Sequence, residues 1–142
     1  MDTFYFRYNK ISQKPFLLET TRITYNELTI VVKGELFYLI NGETVSVKAG
    51  DCLFLKPGMR RQRLKSEQAE YVSFNFYDSR RFNLPTLFSN VLSAEIKMLI
   101  TICSEIYFKQ FAWEKKINKA LDLLFALLED KYAALDENPI IV

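Results

Sequence analysis

The chain has 142 residues, 49% hydrophobic and 25% charged, a balance that fits one soluble domain with its own core. A net charge of +2 is too small to mark a nucleic-acid surface, and no run of about eighteen apolar residues is present to span a membrane. Histidine is absent, which removes Ser-His-Asp and Cys-His catalysis and every imidazole metal ligand. The first residues lack the basic, apolar and small-residue pattern of a secretion leader. Cys52 and Cys103 lie far apart in apolar patterns and form no zinc or redox pair. They suit two buried, reduced thiols of a cytoplasmic protein.

Up to Asn83 the pattern is short strands and tight turns; beyond it the pattern is helical. Phe4–Tyr8 alternates aromatic and polar residues, as a first strand or a mobile arm would. Pro15–Thr21 and Glu27–Lys33 read as strands. Glu35–Ile40 and Glu43–Val47 form a hairpin across Asn41-Gly42, a pair that tolerates the positive φ of a two-residue turn. Gly50-Asp51 opens a buried strand, Cys52–Leu55, and Pro57-Gly58 closes it. Arg60–Lys65 and Glu70–Tyr77 complete the set, and so many short strands predict a sandwich or barrel.

Leu92, Ile96, Leu99, Ile100, Cys103 and Tyr107 predict a helix over about 89–111, capped by Ser89, Asn90 or Ser93. A second helix over about 114–134 carries Ile117, Leu121, Leu124, Leu128 and Leu135 as a narrow seam, and Asn138-Pro139 ends it. With Ala120, Leu123, Phe125 and Leu127 flanking the seam, the apolar surface exceeds what one barrel face covers. One helix is therefore expected on the barrel and the other partly on a partner, with Ile117, Leu121, Leu124 and Leu128 as the dimerisation residues. The alternative is a seam packed wholly on its own barrel.

Glu27-Leu28, Gly34, Gly50-Asp51, Pro57-Gly58 and the strand Tyr71–Phe76, followed by two helices, resemble the N-terminal sensor and dimerisation domain of AraC-type transcription regulators. The resemblance covers nearly the whole chain. It implies a mainly β fold with α: a small cupin-like barrel, a double-stranded β-helix, followed by two C-terminal helices. Residues 1–82 would form the effector-binding barrel with an N-terminal arm, and 83–142 the helical dimerisation segment of the same domain. Such regulators carry a further DNA-binding part; the chain stops at Val142, where that part would begin, and is expected to be an excised domain or a truncated product. Metal cupins place two histidines before the glutamate and one after the last glycine. Here the first pair falls among Thr20, Thr21, Arg22 and Ile23, and the third position is Arg61, so no metal or other cofactor is expected. Glu27 is then either an inward pocket residue or a solvated strand start.

Strand alternation puts Glu27, Thr29, Val31 and Lys33 on one face and Leu28, Ile30 and Val32 on the other. The same frame turns Arg61 and Arg63 inward and Arg60 and Gln62 outward. By position, the resemblance implies effector contacts at Lys33, Arg63, Tyr71 and Ser73. The expected ligand-binding set is Glu27, Lys33, Arg61, Arg63, Tyr71 and Ser73, with Asn75 beside it. Three cations round one cavity repel each other unless Glu27 or an anion neutralises them, and the expected effector is an anion: a sugar acid, a small carboxylate or a phosphorylated metabolite. The competing reading makes Met59–Arg63 an exposed basic edge strand and Lys33 a turn residue.

Three functions follow from these residues. The first is a sensor: a small-molecule effector in the barrel, a homodimer, and DNA reached only through a part outside this chain. The second is a metal-free cupin enzyme, an isomerase or epimerase using Glu27, Tyr71 and Lys33 as proton carriers. The third is a dimerisation module that binds nothing.

Overall fold

Gly34 is the corner on which the fold turns. Its φ is +77°, and a Cβ there would lie 2.0 Å from the carbonyl oxygen of Gln68. Only glycine fits both demands. The computed structural model describes residues 1–11, 20–64 and 68–137. In it the two strands expected on either side of Gly34 are one fifteen-residue strand, β3 (Asn26–Ile40). β1 (Asp2–Ile11) and β2 (Thr21–Arg22) precede it. After it come β4 (Glu43–Lys48), β5 (Cys52–Leu55), β6 (Arg60–Arg63), β7 (Ala69–Tyr77) and β8 (Leu87–Phe88).

The first half of β3 pairs with β5 and β7, and the second half pairs with β4 and β6. One sheet therefore runs β1-β7-β3-β5-β8, while β4, β6 and β2 flank the far half of β3. All these pairings are antiparallel. The chain is a mainly β protein with a small barrel and two C-terminal helices, the fold class expected from its sequence. The Asn41-Gly42 hairpin forms as read, with φ of 50° and 84°. Of the expected strand Pro15–Thr21, residues 15–19 lie outside the described residues, as do Lys65 and Asn138-Pro139.

β1 decides between strand and arm. It pairs with β7 along its whole length, from Asp2 opposite Tyr77 to Ile11 opposite Ala69. Phe6 is buried against Phe74, with ring centroids 5.1 Å apart.

α1 (Ala94–Lys109) begins later than the periodicity predicts, because Phe88 is still extended and pairs with Cys52. Of the three candidate caps, Ser93 serves, its Oγ accepting from the Ile96 amide at 3.3 Å. Gln110, in the left-handed region, ends the helix. α2 is Trp113–Glu137.

Alternation in β3 and β7 creates two cores. Leu28, Ile30, Val72, Phe74 and Phe76 face the helices, where Ile96, Leu99, Ile100 and Cys103 of α1 meet Ile117, Leu121, Leu124, Phe125 and Leu128 of α2. Val31, Leu36, Tyr38, Ile40, Val47, Leu53, Leu55 and Tyr71 fill the barrel. The first core corrects the dimerisation assignment. Ile117, Leu121, Leu124 and Leu128 are at most 1% exposed inside their own chain, because Phe82, Phe125 and the outer face of the sheet cover the seam. Leu135, the last residue of the heptad pattern, lies outside that core and is 63% exposed. No helix among the described residues is long and apolar enough to cross a membrane.

Candidate functional site in the barrel interior

β3, β6 and β7 bring five of the six sequence-predicted ligand residues into the barrel. Glu27 sits opposite Asn75, and Thr29 opposite Ser73. Both pairs point away from the helices, as parity requires. The Thr29 and Ser73 hydroxyls lie 2.9 Å apart and satisfy each other in the buried wall. Glu27, only 4% exposed, meets Arg61: Nη2 donates to Oε1 at 2.9 Å, and Nε stands 2.7 Å from Oε2 as an ion pair off the hydrogen-bond line. Burial pulls the Arg61 guanidinium down, but the Glu27 carboxylate, aided by Tyr38 and Tyr25, outweighs it, and the net shift is upward. Arg61 is therefore a fixed cation whose charge Glu27 already answers.

Arg63 is placed differently. Its Nη1 donates to the Tyr71 hydroxyl at 2.7 Å. The guanidinium lies 4.4 Å from the Tyr71 ring centroid and 5.9 Å from that of Tyr38. Its Nη2 is buried with no hydrogen-bond acceptor among the described residues. Asn9 of β1 also donates to the Tyr71 hydroxyl, at 3.1 Å. That oxygen thus accepts twice, and its own proton has no partner among the described residues. Asn75 Oδ1 is buried and without a donor among the described residues as well. Burial pushes Tyr38 up to about 12, against the opposing pull of Arg63.

Lys33 does not belong to this site. A register shift between Val31 and Lys33 against β7 breaks the alternation just before Gly34. The Lys33 side chain is 74% exposed and lies 3.9 Å from Glu70 on the outer rim, beside Lys10 at 3.7 Å. The three-cation pocket read from the sequence is therefore one neutralised pair and one cation. Asn9 and Tyr38 were missed. Tyr38 carried a signal, since it alternates inward with Leu36 and Ile40 beyond the Gly34 corner. Asn9 did not, because its place follows from the register of β1 on β7.

Among the described residues no group of three or more Cys, Asp or Glu side chains is placed to hold a metal ion. Cys52 and Cys103 lie in the helix-side core, and burial pushes both thiols up, Cys103 to about 12. Clefts among the described residues also open outside the barrel. One of about 430 Å³ is lined by Thr20, Arg22, Leu39, Asn41, Gly42, Gly58 and Arg60. One of about 400 Å³ includes Lys56, Asp78, Arg80 and Arg81.

No family model matches the chain, and no curated protein matches it significantly. Solved structures do. The ethanolamine utilization protein EutQ of Salmonella typhimurium is 24% identical, with 50% of this chain and 55% of that one covered, at a TM-score of 0.42. EutQ of Clostridium difficile is 22% identical, with 50% and 54% covered, at 0.40. A cupin protein, BF4112, from Bacteroides fragilis is 19% identical, with 56% and 70% covered, at 0.43. The chain spans about half the length of the two EutQ proteins it matches. Likeness at this level carries no functional argument, and the fold class stands on the strand pairings given above.

Proposed function

We propose that the chain is the effector-binding and dimerisation domain of an AraC-type transcription regulator, which takes a small anionic metabolite in the barrel and reaches DNA through a separate part. The observation that supports it most is Arg63. A buried guanidinium nitrogen without an acceptor is costly, and the adjoining Tyr71 hydroxyl has a proton to give. Both donors ask for the same thing: an oxygen bearing negative charge. Asn9, Thr29 and Ser73 would border that ligand on β1, β3 and β7.

Two contacts weigh against the enzyme alternative: Glu27 is tied to Arg61, and Lys33 stands on the rim beside Glu70. A homodimer would use the exposed Met98, Ile102 and Phe108 of α1 with Phe111 beyond it, in place of the buried α2 seam. A Phe108→Asp change that leaves the sedimentation mass unaltered at every concentration would refute that surface.

The test of the effector site is a melting screen of small acids, sugars and sugar acids. A ligand at a hundred times its dissociation constant stabilises by about 2.7 kcal/mol. The Arg63→Ala variant is expected to lose the response. An unchanged response in that variant, or no response from any acid, refutes the site.

A further inference from the structure

We infer that the cleft on the outer face of β2 and β6 is a second, separate site, built to take the phosphate group of a small phosphorylated metabolite. It starts from a pairing that no folding argument favours. In the β2–β6 ladder Arg22 stands directly opposite Arg60. Directly opposed residues of an antiparallel pair hold their Cβ atoms about 4.5–5.5 Å apart, and like charges there repel. Neither guanidinium has an acidic partner among the described residues, and no Asp or Glu lines the cleft they flank. The neighbouring β2–β6 pair is the contrast: Arg61, opposite Thr21, faces into the barrel and is answered by Glu27.

The rest of the lining is uncharged. Two turns meet at the cleft, locked by the Asn41 amide donating to the Arg60 carbonyl at 2.9 Å and the Arg60 amide donating to Asn41 Oδ1 at 2.9 Å. With Oδ1 engaged, Asn41 has its Nδ2 donors left, and no protein acceptor among the described residues takes them. Gly42 and Gly58 keep the walls free of side chains at φ of 84° and 95°. Leu39 supplies the apolar part. Two guanidiniums and an amide donor match a dianionic tetrahedral oxyanion, because Arg grips such oxygens with paired N–H bonds. The volume of about 430 Å³ holds more than the phosphate and leaves room for a small body attached to it. Arg22 and Arg60 project from the opposite face of the strands to Arg61 and Arg63, so this site does not depend on the barrel ligand.

The experiment is thermal unfolding and calorimetric titration of the full chain with inorganic phosphate, against chloride at constant ionic strength. Wild type is expected to show saturable phosphate binding and a rise in Tm. Arg22→Gln and Arg60→Gln are each expected to weaken that binding at least tenfold. In phosphate-free buffer the same two variants are expected to melt at or above wild type, since each relieves a repulsion; a merely structural arginine would lower Tm in both buffers. Arg81→Gln, in the other cleft, is expected to bind phosphate as wild type does. The inference is overturned by no saturable phosphate binding, by an undiminished response in Arg22→Gln and Arg60→Gln, by a phosphate-free Tm below wild type in both, or by loss of binding in Arg81→Gln alone.

Discussion

Replacing Arg61 by alanine removes the one cation among the described residues that lies within ion-pair distance of Glu27. The carboxylate stays where it is, 4% exposed on a central strand, with the Leu55 backbone beside it in the ladder. Breaking a buried ion pair by deleting one partner costs about 3–5 kcal/mol, because the remaining charge is neither solvated nor answered. Arg61 itself is 18% exposed, so some water reaches the vacated space and the loss falls at the lower end, about 3 kcal/mol. The unfolding entropy of about 2.1 cal/mol/K per residue, taken over 142 residues, gives about 0.3 kcal/mol/K, so Tm drops by roughly 10 °C. Urea titration at neutral pH with parallel calorimetry measures both quantities. The double variant Glu27→Leu with Arg61→Leu replaces the pair by apolar groups and is expected to lie within about 1 kcal/mol of wild type. A single variant that loses less than about 1 kcal/mol, or a double variant as unstable as the single, would show that the pair is solvated and the reasoning wrong.

Phe125→Ala is expected to cost about 3–5 kcal/mol, since the ring is buried among Phe54, Phe76 and Phe82 at centroid distances of 5.3, 5.5 and 4.2 Å; Leu123→Ala, half exposed on the same helix, should stay within about 0.5 kcal/mol in the same denaturant assay. Gly34→Ala should destabilise far more than Gly50→Ala. Both have positive φ, at a cost of about 1–2 kcal/mol, but only the first puts a Cβ against a backbone oxygen; equal losses would mean the corner opens freely. In an ultraviolet titration, Tyr8 and Tyr38 should remain largely protonated at pH 11 while the chain is native. Burial raises Tyr38, and burial with a hydrogen bond to Glu70 raises Tyr8, each from 10.0 to about 12. The folded state prefers the protonated phenols, so their stabilisation is complete below pH 10 and is lost as pH climbs towards 12. Ionisation of Tyr8 and Tyr38 near 10 in the folded protein would contradict it.

Much of the fold was legible because its glycines sit where backbone geometry permits little else. Gly34, Asn41-Gly42, Gly50 and Gly58 mark the corners; alternation between them turned Glu27, Arg61 and Arg63 inward, and the resemblance by position added Tyr71 and Ser73. Lys33 went to the wrong side because one register shift, invisible in residue order, separates it from Val31. The α2 seam was legible as a stripe, but a stripe does not say what covers it. Phe82, Phe88 and Phe125 add enough apolar surface for the chain to cover its own helix. Asn9 and the Arg22–Arg60 pairing depend on which strands become neighbours, a long-range choice that no local pattern records.

β3 and β7 have a consequence for communication within the molecule. In each, consecutive residues look into different compartments: Thr29 lies between Leu28 and Ile30, and Ser73 between Val72 and Phe74. The partition between the barrel interior and the helix bed is a single polypeptide layer. Any displacement of Ser73 would move the peptide units that carry Val72 and Phe74, and these bear directly on the packing beneath α1 and α2. The two compartments are one peptide unit apart along the strand, with no relay of intermediate side chains between them.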